Sequence, residues 1–116
     1  SGLDALGELM RELLPLDDAR LGEAQAELSF VAASVGSPEL AVWYHDQRRQ
    51  LTKVLMRYTK QAQAAEEIDA GRSAKAIADE FLTLMDGLSM QAVLNPSPSH
   101  RRVQRQQLRS FLDNLH

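Results

Sequence analysis

Residues 37–66 read SPELAVWYHDQRRQLTKVLMRYTKQAQAAE, and this stretch decides the fold class. Ser37 is a helix cap, Pro38 suits the first helical position, and Glu39 faces the positive end of the helix dipole. Leu40, Tyr44, Gln47, Leu51, Val54, Tyr58, Ala62 and Ala65 then recur in steps of four and three, the period of one helix face. No further glycine or proline interrupts the run. At 1.5 Å per residue the helix is about 40 Å long, against a gyration radius of about 13 Å for a domain near this size. The bundle that contains it is therefore expected to be elongated.

The breakers on either side fall in groups: Pro15, Gly36-Ser37-Pro38, Gly71 and Asn95-Pro96-Ser97-Pro98. They divide the chain into five segments, each long enough for a helix, with no hairpin signal between them. The first helix is expected over 3–14, with Leu3, Leu6, Met10, Leu13 and Leu14 on one face, stopping before Pro15. The second starts at Asp17 or Asp18 as cap and ends at Gly36. Its last part, LSFVAASV at 28–35, is apolar nearly all round and is expected to be buried on most sides. The fourth, capped by Ser73, runs to residue 94, and the fifth starts at Ser97-Pro98 and runs to about 115. Alanine and leucine fill most apolar positions and aromatics make up only 5% of residues, a helix-forming composition. The chain reads as an all-α bundle.

The chain has 116 residues, 44% hydrophobic and 25% charged, which fits one globular domain over 1–116. It has no cysteine, so disulfides, thiolate zinc sites and cysteine nucleophiles are excluded. Thirteen Lys+Arg against sixteen Asp+Glu give a net charge of −3, which speaks against phosphate-driven nucleic-acid binding. No apolar run approaches the roughly 20 residues of a bilayer span, and Ser1-Gly2-Leu3-Asp4 does not open a signal peptide. A cytoplasmic protein with no membrane partner is expected.

Catalytic chemistry finds little purchase. His45 and Asp46 are neighbours in sequence, so on a helix they do not face each other. His100 and His116 have no carboxylate or histidine at metal-ligand spacing, and no hydrolase elbow or glycine-rich phosphate loop is present. No catalytic residue, metal or cofactor is expected. The one basic cluster, His100-Arg101-Arg102-Val103-Gln104-Arg105, has no aromatic stacking platform and reads as a solvated face close to an acidic helix.

The fourth helix carries two apolar stripes, Ile77, Phe81, Leu84, Leu88 and Ala78, Leu82, Met85, Ala92. A helix apolar on two faces is central to a bundle or shared with a partner. Gly87 costs about 1 kcal/mol against alanine in mid-helix, which calls for a packing reason, and Gly87, Ser89 and Ala92 would let another backbone approach. The fifth helix ends in Leu108, Phe111, Leu112 and Leu115. The fourth and fifth helices are therefore the expected homodimer face, with Leu84, Gly87, Leu88, Gln91, Ala92, Leu108, Phe111, Leu112 and Leu115 as interface candidates.

Four pieces of the chain, LLPLDDAR at 13–20, FVAASVGSPEL at 30–40, AQAAEEIDAG at 62–71 and LTLMDGLSMQAVLNP at 82–96, occur in an order that resembles the C-terminal regulatory domain of TetR-type transcriptional repressors. The last piece is the most telling: an apolar helix with Asp86-Gly87-Leu88, Gln91 and a closing Asn95-Pro96. The resemblance implies a five-helix orthogonal/antiparallel bundle that binds a small effector and dimerises through its last two helices. It also implies that operator DNA is met by an N-terminal helix-turn-helix domain, which residues 1–116 do not contain. Ligand candidates are apolar positions with polar tips together with their apolar neighbours: Met10, Phe30, Trp43, Tyr44, Gln47, Tyr58, Phe81 and Met85. The expected effector is apolar or amphipathic, since no cluster of Arg or Lys falls on the inward stripes. The competing reading is a helical homodimer that docks a protein partner and takes no small ligand.

Overall fold

Side-chain caps set where each helix begins. The computed structural model describes residues 1–116 as five helices and no strand: α1 Gly2–Glu12, α2 Asp18–Ser34, α3 Pro38–Ala64, α4 Ala74–Leu94 and α5 Pro98–Asp113. Ser1, Asp17, Ser37, Ser73 and Ser97 cap them in turn, each side-chain oxygen accepting the backbone N–H three residues on. Those amides would otherwise be free at the helix start. The boundaries fall within two residues of those read from the sequence.

The end of α3 is less orthodox. Glu67 N–H donates to Ala62 C=O at 2.8 Å and Glu66 N–H to Gln63 C=O at 3.1 Å, the paired bonds of a Schellman cap. That cap puts its turning residue in the left-handed region, and Glu66 sits there with φ of 61° where glycine is the usual occupant. Glu66 is exposed and makes no side-chain hydrogen bond, so nothing offsets the strain. Glu66→Gly should therefore stabilise the chain, by about 0.5–1 kcal/mol after glycine's own entropy cost. Urea unfolding tests this, and a loss of stability would mean that the glutamate side chain contributes something the geometry does not show.

Helices α1, α3, α4 and α5 close a ring, each packed on the next, and α2 lies across α3 and α4. The ring encloses the core: Leu6, Met10 and Leu14 from the α1 side, Leu55 and Ala62 from α3, Ile77, Phe81, Leu82 and Met85 among others from α4, and Leu108 and Leu115 from the α5 side. At its start α1 meets α3 so closely that a Cβ on Gly2 would come within 2.7 Å of the Ala62 nitrogen, which is why glycine is needed there. Asp69 N–H donates to Leu115 C=O at 3.1 Å and ties the end of α5 to the α3–α4 loop. The molecule measures 42 × 35 × 18 Å. Its longest dimension matches the roughly 40 Å of α3, and its thickness is that of two helix layers. It is thus a plate rather than a rod.

Three expectations change. The apolar end of α2 is not buried on most sides. Leu28, Phe30 and Val31 are half-buried, Ala32, Ala33 and Val35 are exposed, and α2 gives no apolar side chain to the core. It lies on the outside of the α3–α4 pair, so only one side of it has anything to pack against. The inward face of α3 is also rotated from the expected stripe. Leu55, Thr59 and Ala62 are the buried residues, with the Thr59 hydroxyl donating to Leu55 C=O at 2.7 Å, whereas Gln47 and Ala65 are exposed. The C-terminal half of α3 faces the core, and its N-terminal half faces α2. Finally, the apolar side of α5 is largely taken up by the core of its own chain. Leu108 and Leu115 are buried, and Phe111 and Leu112 pack on the core, with the Phe111 ring 5.9 Å from that of Phe81.

Candidate ligand-binding site

Because α2 rests on its neighbours through half-buried residues, space remains beneath it. Two cavities occupy that space. The first, of about 350 Å³, lies between the end of α1, α2 and α4, lined by Leu13, Leu14, Pro15, Leu28, Val31 and Met90 with carboxylates at its rim. The second, of about 440 Å³, lies between α2 and α3, lined by Ala26, Phe30, Trp43, Gln47, Leu51 and Arg48. Glu27, Tyr44 and Met85 line both.

Five of the eight ligand candidates come together here. Phe30, Trp43, Tyr44, Gln47 and Met85 line the second cavity, and Tyr44 and Met85 the first as well. The Phe30 and Trp43 rings meet edge to face at 4.9 Å, and Trp43 stays 54% exposed at the mouth. The other three stand elsewhere. Met10 and Phe81 are fully buried in the core, and Tyr58 packs against it further along α3. The contribution of the α1 side comes from Glu12, Leu13, Leu14 and Pro15 instead.

Polar groups that the sequence reading did not count among the ligand candidates also line the cavities. Arg48 on α3 donates through both terminal nitrogens to Asp86 on α4, at 2.9 and 2.6 Å, a forked ion pair. Its Nη1 also lies 3.5 Å from the Tyr44 hydroxyl. The guanidinium is held protonated even more firmly than usual. Its hydrogen bonds to Asp86 are the largest cause, partial burial opposes them, and the electrostatic influence of Asp86, then of Tyr44 and Glu27, adds to them. Two residues separated by 38 positions carry no local signal for such a pair. At the rim, Arg20 is taken up by Asp17 at 2.5 Å, while Glu12, Glu23 and Glu27 enter no ion pair.

The remaining candidates are distributed by burial. Leu88, Ala92, Leu108 and Leu115 are buried in the core of their own chain, Leu84, Phe111 and Leu112 are half-buried, and Gly87 and Gln91 are exposed. Leu94, at 69% exposure, and Val103 also face outward from this pair of helices. A Cβ placed on Gly87 would meet nothing within 4 Å. In the basic cluster, Arg101 is paired with Asp18 of α2 and the Gln104 amide is buried, donating towards Pro15 C=O at 3.5 Å. Arg102 and Arg105 are exposed. His45 is exposed, and Asp46 is engaged with Arg49 and Gln50 rather than with the histidine. No helix is long and apolar enough to cross a membrane.

The family model described as BetI-type transcriptional repressor, C-terminal, matches residues 3–116. Among solved structures, the crystal structure of a transcriptional regulator from Rhodococcus sp. Rha1 is similar to this chain, with a TM-score of 0.77 and 25% sequence identity. The match covers 100% of this chain and 72% of that one. No curated protein matches the chain.

Proposed function

This chain belongs to the family of BetI-type transcriptional repressor C-terminal domains, and from that premise we propose that it senses a small effector beneath α2 and passes the signal through a homodimer formed by α4 and α5. One observation carries the reading. Helix α4 borders the cavities and the outer surface at once. Met85, Asp86, Ser89 and Met90 line cavity wall, while Leu84, Gly87, Gln91 and Leu94 lie within about 80° of one another on its other side. A ligand that favours one placement of α4 thereby favours one arrangement of the two protomers, which is all that coupling between the sites requires. Operator DNA is met outside these five helices, in the cytoplasm.

The lining suits an amphipathic effector. Apolar side chains cover most of both cavities, and the carboxylates of Glu12, Glu23 and Glu27, free of ion pairs, favour a neutral or positive polar end over an anionic one. Gly87 supports the dimer. It costs about 1 kcal/mol of helix propensity, and its own chain leaves open space beside it, so close approach by a second copy supplies the missing reason. The alternative, an interaction module with no small ligand, draws on the exposed Val35, Val42 and Trp43 at the α2–α3 end.

Trp43 separates the two. It is the chain's single tryptophan and stands at the mouth of the second cavity. An amphipathic ligand entering there should shift its emission. The same ligand should stabilise the fold by about 2.7 kcal/mol at a hundred times its dissociation constant, if only the native state binds it. A broad screen that moves neither emission nor melting temperature, with nothing retained in native mass spectrometry, would favour the interaction module.

A further inference from the structure

The two cavities are neighbours, with three lining residues in common. Asp86 lines the first and Arg48 the second, while Glu27, Tyr44 and Met85 line both. The forked Arg48–Asp86 pair therefore links a wall residue of one cavity to a wall residue of the other. We propose that this pair is a partition that selects effectors by length: closed, it confines a ligand to one cavity, and open, it joins the two into a single site running beneath α2. The inference rests on the effector-binding reading above and deepens it.

Three features support a partition that can open. The ion pair is two side chains, bordered by those of Glu27, Tyr44 and Met85, so parting it needs rotamer changes and no displacement of α3 or α4. The released guanidinium has a second carboxylate to turn to, because Glu27 faces both cavities, forms no ion pair of its own, and already contributes to the field around Arg48. The walls on either side are apolar, with Leu28 and Val31 in the first cavity and Phe30 and Leu51 in the second, so a ligand reaching across would be covered at both ends. Each cavity alone, at about 350 and 440 Å³, lies towards the low end of the roughly 300–1,000 Å³ common for small-molecule sites, and the joined space lies well inside it. Opening still has to break two charge-assisted hydrogen bonds, and that cost is the source of selectivity.

A series of n-alkanols from hexanol to dodecanol tests this on the purified chain, read by Trp43 emission and by melting temperature. Each methylene that finds apolar cover should improve affinity about fourfold. In the unmodified chain the gain should stall once one cavity is full. In Arg48→Ala, and separately in Asp86→Asn, it should continue, so that the ratio of hexanol to dodecanol dissociation constants rises by about tenfold or more over the parent. A brace between α3 and α4 with no bearing on the ligand would lower the melting temperature of both variants and leave that ratio within about twofold, which would overturn the proposal. If no alkanol binds the parent or either variant, the effector-binding reading falls and the partition with it.

Discussion

Phe81→Ala is expected to cost about 3–5 kcal/mol of stability, the range for removing a fully buried aromatic side chain. Phe81 is 0% exposed, sits on α4 within the core, and its ring lies 5.9 Å from that of Phe111 at 60°. Leu6, Met10, Leu55 and Ile77 share its cluster and are fully buried themselves, so they could close the vacated space only by giving up packing of their own. Against the roughly 5–15 kcal/mol of a typical domain, the loss is large enough to leave the chain partly unfolded near body temperature. Trp43→Ala is the contrast. Its ring is half in solvent and its edge-to-face contact with Phe30 is worth about 0.5–1.5 kcal/mol. Urea unfolding at one fixed protein concentration measures both, because association would make the midpoint concentration-dependent. A cost below about 1.5 kcal/mol at Phe81 would mean that the core relaxes around the gap more than its packing suggests.

The helix count and the helix starts were legible because they depend on local chemistry. Ser37-Pro38 and Ser97-Pro98 each combine a cap with a proline that needs no N–H, and the structure uses both in that way. The facing of the helices was harder to read, because periodicity identifies an apolar stripe without saying what covers it. On α3 the stripe from Leu40 to Ala65 spans two environments: α2 and the cavities first, the core afterwards. The buried set Leu55, Thr59, Ala62 therefore follows the second environment alone. The α2 run at 28–35 misled for a related reason. Its apolar residues line a space instead of filling one.

The site divides along the same line. Phe30, Trp43, Tyr44 and Gln47 lie on segments adjacent in sequence, and a tight α2–α3 connection brings them to one cavity. Met10 and Phe81 have the same chemistry as cavity-lining residues but sit on the turns where the ring closes, so they pack the core. Arg48, Asp86 and Glu27 come from three different helices. Exposed charges at those positions look in the sequence like any solvated helix face, and only their convergence in space gives them a shared role.

Gly87→Leu should separate association from folding. The position lies on the outward side of α4, and a Cβ there meets no atom of its own chain within 4 Å. A larger residue is therefore accommodated within the protomer, and replacing a mid-helix glycine adds about 0.5–1 kcal/mol to its stability. In a two-fold dimer built on α4 and α5, the new side chain enters the contact twice and holds the two helices apart. Leu94→Asp attacks the same surface by charge. Leu94 is 69% exposed, so its loss leaves the protomer core intact, but a dimer would have to bury a carboxylate without a partner. Either change at the centre of a contact is expected to cost 2 kcal/mol or more, a weakening of about thirtyfold or greater. Phe111→Asp would not make this distinction, since Phe111 packs on Phe81 and a charge there unfolds the protomer before it tests the dimer. Sedimentation velocity over a range of concentrations, alongside urea unfolding, gives both readings. The expected pattern is a dimeric parent and a Gly87→Leu protein that is more stable as a protomer yet largely monomeric. A monomeric parent, or a variant that associates as tightly as the parent, would mean that the close approach at Gly87 does not occur and that the subunits meet elsewhere.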